Sequence, residues 1–155
     1  MKTLLPKRKS ILAIEAERPF LAVVKQKFEN IGFDVITAHS VDEVFSATLN
    51  LDSSEPITAK ALQQALEYLD ALEHLDAIWL NHILVGKENG IDFVKKLKAN
   101  GETWQNIPIF IVSDSQTATT IQSYTHLGVR KYYTKNDHML DEIIADINDS
   151  LCEQK

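Results

Sequence analysis

The chain has 155 residues, of which 45% are hydrophobic and 25% are charged. A chain of this length buries roughly 70% of the surface that its unfolded form exposes, so it needs no disulfide or metal to hold a core. The single cysteine, Cys152, excludes an internal disulfide, and the net charge of −6 opposes binding to nucleic acid or to an anionic membrane.

Residues 1–9 are predicted to be a basic N-terminal tail, and residues 10–151 a single domain. The tail, MKTLLPKRK, lacks the apolar run of a signal peptide, and no window approaches 18 consecutive apolar residues. We therefore expect a cytoplasmic protein with no membrane segment and no nucleic-acid partner.

Short apolar segments alternate with amphipathic ones along the chain. The predicted strands are Ser10 to Ile14, Phe33 to Thr37, Ala77 to Leu80, Pro108 to Val112 and Lys131 to Thr134. The predicted helices are Phe20 to Asn30 after Pro19, a helix starting at the capping box Ser40 to Glu43, Ile91 to Asn100, a weakly helical stretch from Ser113 to Leu127, and Met139 to Leu151. This order predicts an α/β domain with a parallel sheet covered on both faces.

One segment is surplus to this alternation. Residues 51–75 interrupt it, and Pro56 to Leu75 carry leucines at helical spacing. We predict an extra helix between the second helix and the third strand. Its leucine stripe either packs over another helix or forms a partner or dimer surface.

Polar side chains follow the strands of the predicted sheet, where open parallel sheets place their functional crevice. They are Glu15, Ala16 and Glu17 after the first strand, Asn81 and His82 after the third, Ser113 and Asp114 after the fourth, and Thr134 and Lys135 after the fifth. Acids, an amide, a hydroxyl and an ammonium group are thus expected to converge at one edge.

These segments resemble the receiver domain of two-component response regulators, which has the CheY-like fold. The resemblance rests on ILAIEAERP, on DAIWLN with a glycine nine residues later, on IPIFIVSD and on LGVRKYYTK. It implies a three-layer, doubly wound, flavodoxin/CheY-like sheet of strand order 2-1-3-4-5, in a single-domain signalling module of a two-component phosphorelay.

The resemblance also implies roles for individual residues. Glu15 corresponds to the first acid of a Mg²⁺ site, Ser113 and Lys135 to the groups that bind phosphoryl oxygens, and Tyr132 to the aromatic residue that changes rotamer on switching. The expected partner is a histidine kinase or another signalling protein. We also consider a homodimer through the face of the fifth strand and last helix, or through the inserted helix.

Five positions depart from the family pattern, and two of them remove a carboxylate. Asp114 replaces a small residue, Val85 replaces a proline, and Asn136 replaces the proline that usually follows the lysine. Asn81 stands at the phosphoacceptor position, and Ala16 stands in place of the second acid, which is a direct metal ligand. An amide has neither a nucleophilic carboxylate nor a negative charge to attract Mg²⁺. We therefore expect a degenerate pseudo-receiver that is not an enzyme and holds no cofactor, with at most a weak cation at Glu15 and Glu17, and in which Asn81 hydrogen-bonds to Lys135 or Ser113.

Two alternatives stay open. The first is an active receiver that holds Mg²⁺ and uses a native aspartate in place of Asn81, or Asp114 or His82, although Asp114 is expected to cap the following helix and His82 to be neither acceptor nor metal ligand. The second is a small flavodoxin-like ligand-binding protein, which Glu15 to Pro19 disfavour because they form no glycine-rich phosphate loop.

Overall fold

Five parallel strands form one sheet in the computed structural model, which describes residues 8–45, 71–72, 74–99, 106–114 and 117–152. The spatial order is β2-β1-β3-β4-β5. The strands are β1 (Ser10–Ile14), β2 (Asp34–Ala38), β3 (Ala77–Leu80), β4 (Ile109–Ser113) and β5 (Lys131–Thr134). The predicted fold class and strand order are confirmed, and each strand lies within one residue of its predicted bounds.

Helices cover both faces of the sheet. They are α1 (Arg18–Asn30), α2 (Gly90–Ala99), α3 (Ala118–His126) and α4 (Leu140–Cys152), and residues 41–45 are also helical. Pro19 lies in the first turn of α1, where its missing N–H costs nothing, and Gly32 follows the helix with a φ of +96°, which favours glycine. Among the described residues, no helix combines the length and the apolar character needed to cross a membrane.

The capping box predicted before residues 41–45 is formed with one change of partner. The Ser40 hydroxyl accepts the Glu43 N–H at 3.0 Å, and the Glu43 carboxylate accepts the His39 N–H at 2.8 Å. Glu43 thus reaches one residue further back than the usual box, in which it would accept from Ser40.

The predicted insertion lies mostly outside the described residues, which omit residues 46–70 and 73. Residues 71–72 are helical. The two described leucines of the stripe, Leu72 and Leu75, are buried in the domain core, so this end of the segment packs against the fold rather than facing a partner.

The helix predicted from Ser113 begins later than expected. Ser113 belongs to β4, paired with Thr134 of β5, and the N-cap of α3 is Thr117. Asp114 is therefore not the cap of this helix, because the chain is still leaving the sheet at that position. The prediction that it caps α3 is wrong.

Two hydrophobic cores lie on opposite faces of the sheet because successive strand residues point to opposite sides. One core joins the sheet to α2 and α3, and includes Leu12, Ile14, Ile78, Leu80, Ile111, Phe93, Leu97 and Tyr124. The other joins it to α1 and α4, and includes Ile11, Ala13, Trp79, Phe110, Val24, Phe28, Ile143 and Ile147. The central strands β1, β3 and β4 are buried on both faces, which explains their continuous apolar runs.

Candidate functional site

The backbone fixes the residues that follow the central strands. Beyond the ends of the strands, Asn81 donates its N–H to the Ile14 carbonyl at 3.0 Å, and Lys135 donates to the Ser113 carbonyl at 2.9 Å. Glu15 likewise donates to the Ala38 carbonyl at 3.0 Å. The polar side chains at this edge therefore start from positions set by the sheet.

A buried ion pair occupies the centre of this edge. The Lys135 ammonium lies 2.6 Å from Glu15 Oε1, and the Glu15 side chain is fully buried whereas that of Lys135 is 14% exposed. The same ammonium lies 4.2 Å from the centroid of the Phe20 ring, within cation–π range. Lys135 thus balances the charge of a carboxylate that has no access to water.

The Asn81 amide makes three hydrogen bonds that fix its orientation. Its Nδ2 donates to Glu15 Oε2 at 2.8 Å and to the Ile83 carbonyl at 3.1 Å, while its Oδ1 accepts the His82 N–H at 2.9 Å. Two acceptors face the nitrogen and one donor faces the oxygen. Only an amide satisfies all three partners, because a carboxylate has no proton to donate.

Several solved protein structures are similar in fold to this chain. No protein-family model and no curated protein sequence matches the chain. The chain is similar to the non-phosphorylated HemR receiver domain from Leptospira biflexa, with 16% identity and a TM-score of 0.68 over 96% of this chain and 98% of that one. It is similar to the phosphorylated cyanobacterial phytochrome response regulator RcpA, with 22% identity and a TM-score of 0.72 over 96% and 97%.

A CheY-like response regulator receiver domain protein from Methanospirillum hungatei JF-1 matches at 16% identity and a TM-score of 0.69, over 96% of this chain and 97% of that one. The chain has the receiver-domain fold. The sequence identities are low, so the similarity establishes the fold alone. The chemistry of the site has to be inferred from the residues of this chain.

Within this receiver fold, the partner of Asn81 differs from the expected one. Asn81 was predicted to bond to Lys135 or Ser113, but its side chain binds Glu15, and Lys135 binds the other oxygen of the same carboxylate. Glu15 attracts both because it is a fully buried anion that needs a donor at each oxygen.

The other predicted site residues lie in different environments. Ser113 is buried as the last residue of β4, whereas Asp114 is exposed. Glu17 is exposed at the N-cap of α1, and Ala16 is half-buried. The two acids predicted to share a weak cation therefore differ sharply in exposure, and that cation site stays a prediction.

The buried carboxylate at this edge has a partner at each of its oxygens. Both Glu15 oxygens are engaged, by Lys135 and by Asn81, and position 16 has no carboxylate. No group of three or more His, Cys, Asp or Glu side chains in the described part of the chain is placed to hold a metal ion. Mg²⁺ prefers carboxylate and water oxygens in octahedral geometry, and Ala16 and Asn81 contribute no carboxylate to such a ligand set.

Two tyrosines of β5 point to opposite faces, as their alternation predicts. Tyr133 is buried against the α1 and α4 side, and its hydroxyl donates to Asp146 of α4. Tyr132 is half-buried on the other side, with its ring 5.8 Å from that of Tyr124. Burial and the Asp146 hydrogen bond raise the pKa of Tyr133, and hydrogen bonds from Tyr133 and Lys131 lower the pKa of Asp146.

A second polar contact near the site is not evident from the sequence. His82 Nδ1 lies 2.7 Å from the hydroxyl oxygen of Tyr124, which is fully buried on α3. Burial lowers the pKa of His82, with Asp92 opposing the shift, and burial raises the pKa of Tyr124. The one sequence signal was that Tyr124 is the only Phe, Trp or Tyr between Ser113 and Leu127.

Proposed function

We propose that this chain is a response-regulator-like signalling module of a two-component system that does not accept a phosphoryl group at Asn81 and acts through protein contacts. The receiver fold, seen in the similar structures, supports the signalling class. We further propose that the chain is not an enzyme, holds no resident Mg²⁺ and acts in the cytoplasm.

The hydrogen bonding of Asn81 carries the proposal. Its amide nitrogen donates to both Glu15 and Ile83, and these partners have no proton to give in return. An aspartate at this position would direct an oxygen at a carboxylate and a carbonyl. The surroundings are thus suited to an amide and unsuited to the nucleophile that forms an acyl phosphate.

The charges around position 81 support the same conclusion. Phosphoryl transfer requires cations that neutralise the charge of the transferring group. The ammonium that the family resemblance assigns to this task, that of Lys135, is paired at 2.6 Å with Glu15. A phosphoryl group entering the pocket would have to compete with a buried carboxylate for this cation.

Phosphorylation by a small-molecule donor tests the proposal. The full chain is incubated with acetyl phosphate and Mg²⁺, and its intact mass is recorded. We expect no gain. The matched variants are Asn81→Asp and the double variant Asn81→Asp with Ala16→Asp, and we expect the double variant to gain one phosphoryl group because it restores both missing carboxylates.

A stoichiometric gain on the unmodified chain would contradict the proposal. The position of the group then identifies the alternative, because a hydroxylamine-labile group on Asp114 is an acyl phosphate and an acid-labile group on His82 is a phosphohistidine. If the double variant also stays unmodified, the two lost carboxylates do not explain the inactivity.

The proposed partner is a histidine kinase or another signalling protein, and a homodimer through β5 and α4 is part of the proposal. Lys131 of β5 pairs with Asp146 of α4 at 2.9 Å, and both are about half-exposed on this face. Light scattering after gel filtration measures the oligomeric state. Lys131→Glu would place a second carboxylate beside that of Asp146, and we expect it to shift a dimer toward the monomer. If the unmodified chain is itself monomeric, this dimer is excluded.

A further inference from the structure

The contact between His82 and Tyr124 joins two parts of the fold that are distant in sequence. His82 lies in the loop after β3, and Tyr124 lies on α3. Their polar atoms are 2.7 Å apart, and their rings meet edge to face with centroids 5.6 Å apart. Because Tyr124 is fully buried, its hydroxyl needs a partner inside the protein, and His82 provides it.

Gly90 at the start of α2 makes room for this contact. A Cβ atom at this position would clash with the Tyr124 hydroxyl and would lie 2.9 Å from the Asn81 carbonyl oxygen. Gly90 does not have a positive φ, so close approach rather than backbone conformation requires glycine here. Its N–H also donates to the His82 carbonyl at 2.8 Å, which fixes the loop that carries the imidazole.

The contact extends from the candidate site to β5. The His82 N–H donates to Asn81 Oδ1 at 2.9 Å, so the residue whose ring binds Tyr124 also binds the side chain at position 81. On its other side, the Tyr124 ring packs against the ring of Tyr132 on β5. Tyr124 therefore contacts the loop after β3, the start of α2 and the edge strand.

We propose that His82, Gly90 and Tyr124 form a clamp that holds α3 and β5 in one arrangement, whatever the charge of the side chain at position 81. The clamp acts through packing and one buried hydrogen bond. Opening it leaves the Tyr124 hydroxyl unpaired in the core, or forces α3 to move so that the hydroxyl reaches water. The clamp does not depend on phosphoryl transfer. Experiments can therefore refute the clamp and leave the proposed function intact, or refute the proposed function and leave the clamp intact.

Hydrogen exchange of the full chain tests the clamp. The variant Tyr124→Phe removes the hydroxyl and keeps the ring. We expect exchange of the α3 amides to become about fivefold faster, the factor that corresponds to a net hydrogen bond of about 1 kcal/mol, while the amides of α4 are unchanged. The matched control is Tyr133→Phe, which removes a tyrosine hydroxyl on the opposite face of β5 and should leave α3 unchanged.

Two further measurements probe the same clamp. Gly90→Ala keeps both polar groups but displaces the hydroxyl, so it should accelerate exchange in α3 as Tyr124→Phe does. Asn81→Asp should change the NMR shifts of α3 and Tyr132 little in the unmodified background and more strongly when combined with Tyr124→Phe.

Three outcomes overturn the proposal. They are unchanged α3 exchange in Tyr124→Phe, equal acceleration of α3 and α4, and an Asn81→Asp effect on α3 of the same size in both backgrounds. If Tyr124→Phe does not fold, the unmodified protein decides. A slowly exchanging Tyr124 hydroxyl proton with a nuclear Overhauser contact to the His82 ring supports the clamp, and a rapidly exchanging one refutes it.

Discussion

Replacing Asn81 with aspartate should destabilise the domain, because the substitution converts a hydrogen-bond donor into an acceptor at a place where two acceptors face it. Asn81 Nδ2 donates to Glu15 Oε2 at 2.8 Å and to the Ile83 carbonyl at 3.1 Å. A hydrogen bond to a charged group contributes about 1.5 to 3 kcal/mol, and one to a neutral carbonyl about 0.5 to 1.5 kcal/mol.

The loss of both bonds amounts to about 3 kcal/mol, and the repulsion between carboxylates adds to it at neutral pH. A like charge within hydrogen-bond distance raises the pKa of the carboxyl group introduced at position 81. A raised pKa in the folded state means that the added penalty is smallest below about pH 4, where the group is protonated in both states, and grows as the pH rises.

Urea unfolding of the unmodified chain, Asn81→Asp and Asn81→Ala measures these effects. The alanine variant loses the same two donated bonds but adds no charge, so we expect it to be less destabilised than the aspartate variant at neutral pH. Mg²⁺ should raise the free energy of unfolding of the double variant Asn81→Asp with Ala16→Asp by binding its folded state, and should leave the unmodified chain unaffected. A single Asn81→Asp variant as stable as the unmodified chain, or equal stabilisation of the double variant and the unmodified chain by Mg²⁺, would refute this interpretation of the pocket.

Three further substitutions test other parts of the structure. In urea unfolding, Lys135→Met should lower the free energy of unfolding by about 3 kcal/mol and Glu15→Gln by only about 1 to 2 kcal/mol, because the carboxylate is fully buried while the ammonium reaches water. Equal losses in the two variants would contradict this asymmetry. Asp146→Asn should make the free energy of unfolding fall less steeply with pH in the acid range, since a lowered carboxyl pKa contributes stability that is complete above about pH 4 and is lost as the pH falls further. The half-exposed Asp146 side chain limits this effect to about 1 kcal/mol, and an unchanged pH dependence would exclude the contribution. Gly32→Ala should lower the free energy of unfolding by about 1 kcal/mol, because the glycine has a φ of +96°, and thermal unfolding showing no loss would argue against that backbone conformation.

The fold could be predicted from the sequence because its central strands are continuous apolar segments. Ser10 to Ile14 and Ala77 to Leu80 are each followed by polar residues and then by helical periodicity, and both strands have the predicted bounds. The start of α3 could not be placed, because the residues after Ser113 are polar and carry no strong apolar period. Sheet pairing with Thr134 keeps Ser113 in the strand, and this long-range contact has no local signature.

The candidate site was predicted as a set of residues but not as a set of contacts. The rule for parallel sheets indicates that Glu15, Asn81 and Lys135 lie at one edge, and the structure brings their side chains together. Which group binds which depends on burial, because the fully buried carboxylate takes the donors of both neighbours. The contact of Tyr124 with His82 depends on side-chain torsions and on the missing Cβ of Gly90, none of which spacing along the chain reveals.

The charge balance of the pocket explains why the amide at position 81 and the ion pair beside it belong together. With aspartates at positions 16 and 81, Lys135 would face three carboxylates, and a divalent cation would be needed to offset the excess negative charge. With Ala16 and Asn81 in these places, the single buried carboxylate of Glu15 is neutralised by one ammonium and receives its second hydrogen bond from the amide. The buried carboxylate is thus balanced by side chains of the chain itself, and under the proposed function we expect a phosphoryl group entering the pocket to compete with Glu15 for the Lys135 ammonium.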